Sequence, residues 1–286
     1  MTSLTPHVIA LAGAVGSAVA TILIRQGLRH ANSYMGFWIN VAVGVIGLWA
    51  AVFLLVPVEA YRLSAVPFFV LSGLIGTAGG RLLRFVSIDK VGASVSAAIT
   101  NLNPFIATGL AIVLLGERVT LPILLGTCVI VLGTVLLSLS GRLVGFRLRY
   151  LAFPFLSASC FGLVAVIRKL GLGHAGPLFG SAVNITTALI AFTAFLVASG
   201  QRRTLEWNRR GVLYFVGAGI AENASVFLVL VALSLGDVSV VTPLAGTAPL
   251  FVLLLSAVFL KGVEQLHWRI VLGSALIVLG VFLLTA

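Results

Sequence analysis

Charge is scarce in this chain of 286 residues: Asp, Glu, Lys and Arg together make up 9% of it, and only seven residues are acidic. An ordinary soluble domain is about 25% charged and roughly 45–50% apolar. Here 60% of the residues are hydrophobic, so a water-exposed surface of normal size has nothing to be built from. Two cysteines, Cys128 and Cys160, exclude a disulfide scaffold. Four histidines, His7, His30, His174 and His267, stand singly at span ends without metal-ligand spacing, so no metal site is expected. Low proline and polar content exclude a collagen-like fibre and a disordered chain. Phosphate-binding loops are missing too, since the Gly-rich stretch 76–80 lies inside an apolar span and reads as helix packing; nothing here uses ATP. No soluble module carries the net charge of +11, which therefore points to anionic lipid headgroups and not to nucleic acid. What remains is an integral membrane protein with a mean hydropathy of +1.20.

Charge-free runs such as Ala31–Val58, Val91–Gly116, Val119–Gly141 and Val238–Leu260 meet the roughly 20 apolar residues that a helix needs to cross the hydrocarbon. None alternates with the period of a membrane β-strand, so the class is all-α. Reading between polar breaks predicts ten transmembrane helices, near 6–24, 34–56, 66–88, 92–115, 120–140, 150–167, 177–199, 211–234, 238–260 and 267–285. The first has no basic n-region and no clear cleavage site, and is expected to be retained.

The chain repeats itself. Ala20–Gln26 recurs as Leu163–Lys169, and Gly36–Asn40 as Gly180–Asn184, at an offset near 144. Further on, Gly92–Ser96 up to Pro104 matches Asp237–Val241 up to Pro249. Glu117, Gly126 and Gly133 match Glu264, Gly273 and Gly280, after a slip of two residues near Lys261. The expected units are 1–145 and 146–286, with five spans each. An odd number forces the halves to insert with opposite orientation, an inverted repeat with a site near the bilayer midplane.

Two five-helix halves, a proline in the fourth span of each (Pro104, Pro249), a glutamate opening the fifth of each (Glu117, Glu264) and Gly-rich last helices resemble the drug/metabolite transporter superfamily, specifically its EamA-type members. The resemblance covers essentially the whole chain. It implies a secondary active carrier in the cell membrane, in bacteria the inner membrane, working by alternating access without a cofactor. The implied substrate is a small polar metabolite, such as an amino acid or related compound, moved outward, with proton exchange as one means of coupling. Fold does not decide the substrate. A carrier or flippase of an anionic amphiphile or lipid-linked metabolite uses the same fold. A lipid-modifying intramembrane enzyme belongs to another class, and no nucleophile and base stand at suitable spacing for it, so no catalytic residue is expected. Besides substrate and membrane lipids the sequence names no partner, and it leaves the oligomeric state open.

Basic residues favour the connections after odd spans: Arg25, Arg29, Lys90, Arg142, Arg147, Arg149, Arg202, Arg203, Arg209, Arg210, Lys261 and Arg269, against Arg62, Arg118, Arg168 and Lys169 after even ones. The positive-inside rule puts the richer side in the cytoplasm and both termini outside. The resemblance implies the reverse.

Ionisable residues at depth are the functional candidates. Glu222 lies about eleven residues into the eighth span with no charged neighbour before Asp237, and its pKa is expected to rise. Arg81 and Arg84 share a face of the third span with Thr77; Arg84 is close enough to the span end to snorkel, whereas Arg81 is deeper and needs an acid or an anionic substrate group. Asn40 and Asn184 hold equivalent places in spans two and seven and serve either as packing contacts or as substrate contacts. Trp38 and Tyr34 either line a cavity mouth or belong to an aromatic belt. Pro104 and Pro249 are expected to kink their helices or to act as gates, with Asn103 and Thr247 placed to rescue the freed backbone groups. Gly126, Gly133, Gly273 and Gly280 mark close helix packing.

Overall fold

A computed structural model describes residues 5–91, 93–138, 147–200, 208–259 and 268–285, and among them the chain is helical without a strand. Arg202, Arg203, Lys261 and Glu264 lie outside the described residues. The helices are α1 (Thr5–Gly27), α2 (Ser33–Leu55), α3 (Val66–Ser72), a π-helical segment (Gly73–Gly80), α4 (Arg81–Val91), α5 (Ala93–Thr100), α6 (Asn103–Leu115), α7 (Leu121–Ser138), α8 (Ala152–Leu172), α9 (Pro177–Ala198), α10 (Arg209–Leu235), α11 (Val238–Ala245), α12 (Ala248–Phe259) and α13 (Trp268–Thr285). Among the described residues seven stretches are long and apolar enough to cross a membrane: Thr5–Gly27, Ser33–Leu55, Leu63–Arg84, Leu148–Leu172, Pro177–Ala198, Arg209–Leu235 and Val238–Leu255. Asn103–Leu115, Leu121–Leu137 and Val271–Thr285 are apolar but shorter. Every window expected to span contains helix, while the length criterion is met by fewer than the ten expected.

Helix ends follow local chemistry. Asn32 opens α2 by accepting the Met35 N–H at 2.9 Å, and Asn208 opens α10 by accepting from Arg210 and Gly211. Gly116 ends α6 with a φ of 67°, a left-handed conformation that costs glycine little. Pro104 and Pro249 do not kink continuous helices, contrary to expectation. Each falls in the first turn of a new helix, α6 and α12, after a break at 101–102 and at 246–247. A proline is tolerated there because its missing N–H would have been unpaired anyway. Side chains meet backbone carbonyls beside each break: Asn103 Nδ2 donates to Thr100 O at 3.0 Å, and Thr247 Oγ1 to Leu244 O at 2.7 Å.

Packing repeats under exchange of the two halves. α1 lies on α10 as α8 lies on α3 and the π segment, and α2 meets α10 as α9 meets the π segment. Phe215 fills the space beside Gly27 and Gly36, and Phe69 that beside Gly171 and Gly180; a Cβ on Gly180 would come within 2.3 Å of the Phe69 ring. Equivalent helices touch each other antiparallel. In α7 and α13, Gly126 faces Gly280 and Leu284 while Gly133 faces Gly273 and Ile277, with a Gly133 Cβ only 2.7 Å from the Gly273 oxygen. In α2 and α9, the Trp38 indole N–H donates to Thr193 and that of Trp49 to Thr186. Large apolar side chains such as Phe53, Leu54, Val113, Leu213, Ile220 and Phe282 are exposed, as suits a lipid-facing surface.

Candidate functional site

The π segment aims the polar residues of the third span. Eleven residues separate Phe69 from Gly80, but ten separate their counterparts in α10, Phe215 and Ser225, which are matched by the bonds Ser157 Oγ to Gly80 O and Ser225 Oγ to Gly13 O. One extra residue in an α-helix is accommodated as a π turn, and the glycines at 73, 76 and 80 let it form against α8 and α9 without a clash. In an α-helix, residues five apart point about 140° away from each other. In a π-helix they stack, since its bonds run from i to i+5. Ser72 and Thr77 therefore face α9 together, one turn below Arg81.

Both grip the same amide. Thr77 Oγ1 donates to Asn184 Oδ1 at 2.9 Å, and Asn184 Nδ2 donates to Ser72 Oγ at 2.5 Å. Ser72 Oγ also accepts from Arg168 Nε of α8 at 2.9 Å. Arg168 and Lys169 were expected in a connection after the sixth span; both lie within α8, because the helix runs on to Leu172. Lys169 Nζ donates to the carbonyls of Leu233 and Gly236 at 2.7 Å, satisfying the C-terminus of α10.

Glu222 of α10 is not isolated. Its Oε1 lies 3.1 Å from Arg81 Nη2, and the two side chains are 19% and 16% exposed, so the pair is largely inside the bundle. The Arg81 guanidinium also sits 5.9 Å from the centre of the Phe37 ring. Arg84 is exposed, within electrostatic reach of Glu222 and Arg81.

Asn40 packs against Gly219 of α10, three residues before Glu222 on the same face. Its backbone carbonyl accepts from Asn223 Nδ2 at 3.0 Å, while its own Oδ1 is buried with no partner among the described residues. In the other half the counterpart amide, Asn184, receives the hydroxyl of Thr77. Trp38 is tied to Thr193 at 3.1 Å and holds α2 to α9.

Arg81 and Glu222 thus come together; Asn40 packs on the helix that carries Glu222, and Asn184 is bonded to the span that carries Arg81. Trp38 bonds Thr193, and Pro104 and Pro249 stand at helix starts. Sequence reasoning missed Ser72, Arg168 and Asn223. Arg168 was hidden by Lys169, since two adjacent cations read as a loop. The signal that would have found it is the helical reach of the sixth span, one turn beyond its last apolar run. Among the described residues no group of three or more His, Cys, Asp or Glu forms a metal site.

A family model described as the EamA-like transporter family matches residues 4–139 and 148–286. A curated relative from Sinorhizobium sp, described as an uncharacterized transporter in the cobO 3'region, is 32% identical over 133 residues, which cover 46% of this chain and 93% of the relative. A solved structure described only as the crystal structure of a protein superposes with a TM-score of 0.79 at 19% identity, covering 97% of this chain and 95% of its own, a likeness of fold.

Proposed function

We propose, from the premise that this chain belongs to the EamA-like transporter family, that it is a secondary active carrier exporting small polar metabolites such as amino acids or related compounds by alternating access. It is a multi-pass membrane transporter of the drug/metabolite type. The observation that carries the finer reading is the Arg81–Glu222 ion pair. A charge inside an apolar bundle is costly and is kept where it meets a substrate, an ion or an opposite charge. Breaking a buried pair by removing one partner typically costs about 3–5 kcal/mol. A substrate carboxylate that replaces Glu222 on Arg81 avoids that cost, provided Glu222 takes a proton as it leaves.

The protonated carboxyl is a donor, and Asn40 Oδ1 is an unused acceptor on the adjoining helix. In the other half the counterpart amide oxygen, Asn184 Oδ1, accepts such a bond from the Thr77 hydroxyl. Substrate binding and protonation of Glu222 are then one event, so each substrate anion crosses together with a proton. Antiparallel contact between equivalent helices, α2 with α9 and α7 with α13, supports two inverted five-helix halves that exchange conformations to open each membrane face in turn.

Counterflow in proteoliposomes tests this reading with a panel of amino acids, nucleosides, sugar phosphates and cationic drugs. Uptake driven by an internal carboxylate-bearing metabolite, and accelerated by a pH gradient, is the expected result. Exchange confined to cationic drugs overturns it.

A further inference from the structure

We propose that Arg168 is a second anion-binding residue of the site, so that the substrate carries two negative charges, as a dicarboxylate or a phosphate monoester does. The proposal rests on the reading of Arg81 as the anchor for an anionic group and narrows it.

The polar stripe created by the π segment carries the argument. Ser72, Thr77 and Arg81 line one face of the third span, and Arg168 reaches that stripe from α8 by donating Nε to Ser72 Oγ. Asn184 bonds the same oxygen, so the acceptor that orients Arg168 is itself held. Among the described residues Nε is the only nitrogen of Arg168 with a hydrogen-bond partner. A guanidinium has five N–H donors in a planar fork, and its terminal nitrogens match two oxygens of a carboxylate or phosphate. Arg81 spends one terminal nitrogen on one oxygen of Glu222, which leaves its fork largely open as well.

Charge balance points the same way. Arg168 lies within electrostatic reach of Arg81, and Arg84 within reach of Arg81 and Glu222. Among the described residues Arg81 has Glu222 as its ion-pair partner, whereas Arg168 has no carboxylate partner. The charge of Arg168 is then uncompensated inside the bundle, and a second negative charge on the ligand compensates it. A monocarboxylate leaves one of the two forks unfilled. A structural role for Arg168 is served by the Nε bond alone and makes no demand on its terminal nitrogens.

The test uses the purified full-length chain, with binding read as ligand-dependent thermal stabilisation and transport as counterflow. Succinate is compared with butyrate, which has the same carbon count and one carboxylate, and glycerol phosphate with glycerol. Wild type is expected to bind succinate or glycerol phosphate roughly ten- to a hundredfold more tightly than the singly charged or neutral partner, the range of one charged hydrogen-bonded contact. Arg168→Gln is expected to remove that preference while leaving butyrate within about twofold, and Arg168→Lys to restore it only in part because the fork is lost. Ser72→Ala keeps the guanidinium but frees its Nε, and is expected to weaken dianion binding less than Arg168→Gln does; it also serves if the latter does not fold. Equal binding of succinate and butyrate by wild type, or an Arg168→Gln protein that keeps the preference, overturns the proposal. If Arg81→Gln then still abolishes butyrate binding, the anchor reading stands without it. If no anion binds wild type, both fall. Stabilisation by short-chain phosphatidate but by neither soluble dianion keeps the dianion site and assigns it to a lipid headgroup, overturning the soluble-metabolite reading.

Discussion

Arg81 and Glu222 are each the other's reason to be charged inside the bundle, so a change to either is read best through the partner it leaves. Glu222→Gln keeps the shape and removes the ionisation, and the pH dependence of counterflow is expected to flatten; a full rate with an unchanged profile reduces Glu222 to a packing residue. Asn40→Leu takes away the acceptor available only to the protonated carboxyl. Protonation is thereby disfavoured, so the midpoint of the pH profile is expected to move to lower pH, and a midpoint that stays in place sinks the Asn40 assignment. Arg81→Lys keeps the charge and loses the fork. At matched membrane abundance it is expected to transport roughly tenfold or more below Arg84→Lys, the range of a lost charge-assisted contact. Equal rates remove Arg81 from substrate contact. Glu222 and Arg81 were legible in the sequence because depth within an apolar run is a one-dimensional property. Arg168 was not, because its role comes from Ser72 on a helix far away in the chain.

Helix ends and irregular turns decide where these side chains point. The π segment is invisible to hydropathy, since it changes neither the length nor the apolar character of the third span, yet it brings Ser72, Thr77 and Arg81 into line. Glu117 illustrates the same gap between a marked residue and its job. Read in the sequence only as a family mark, its carboxylate accepts the Val238 N–H at 2.8 Å and the Ser239 N–H at 3.0 Å, while Asp237 at the N-cap of α11 makes no side-chain bond. A carboxylate at a helix N-terminus satisfies orphan donors and suits the helix dipole. Because it reaches from the connection between α6 and α7 to the start of α11, it joins the first half to the second. Glu117→Ala is expected to destabilise the fold by about 1–2 kcal/mol, seen as a lower thermal midpoint in detergent, with Glu117→Gln intermediate. An unchanged midpoint in both variants shows that water replaces the cap.

Orientation belongs to the whole molecule. Arg168 and Lys169 lie inside α8, and Arg25, Lys90, Arg209, Arg210 and Arg269 lie inside helices as well, so the excess of basic residues after odd spans stands as the sequence has it. By the positive-inside rule the odd connections are expected in the cytoplasm. Cysteines placed near Arg147 and Arg203, in a background lacking Cys128 and Cys160, are expected to resist an impermeant thiol reagent in intact cells. Labelling of both from outside returns the termini to the cytoplasm.

The sequence by itself determined the solvent, the helical class, the self-similarity and the buried charges, because each depends on composition or on spacing along one chain. The close packing of the last helices was legible for the same reason: glycines seven apart share a face wherever a helix forms. Tertiary structure alone decided that α7 and α13 use those faces on each other, that the prolines start helices, and that Arg168 joins Ser72 and Asn184. Apart from the helix starts, those outcomes depend on which surfaces meet across separations of 96 residues or more. Hydrophobic periodicity in a lipid-bathed helix says little about that, since lipid-facing and helix-facing residues are equally apolar.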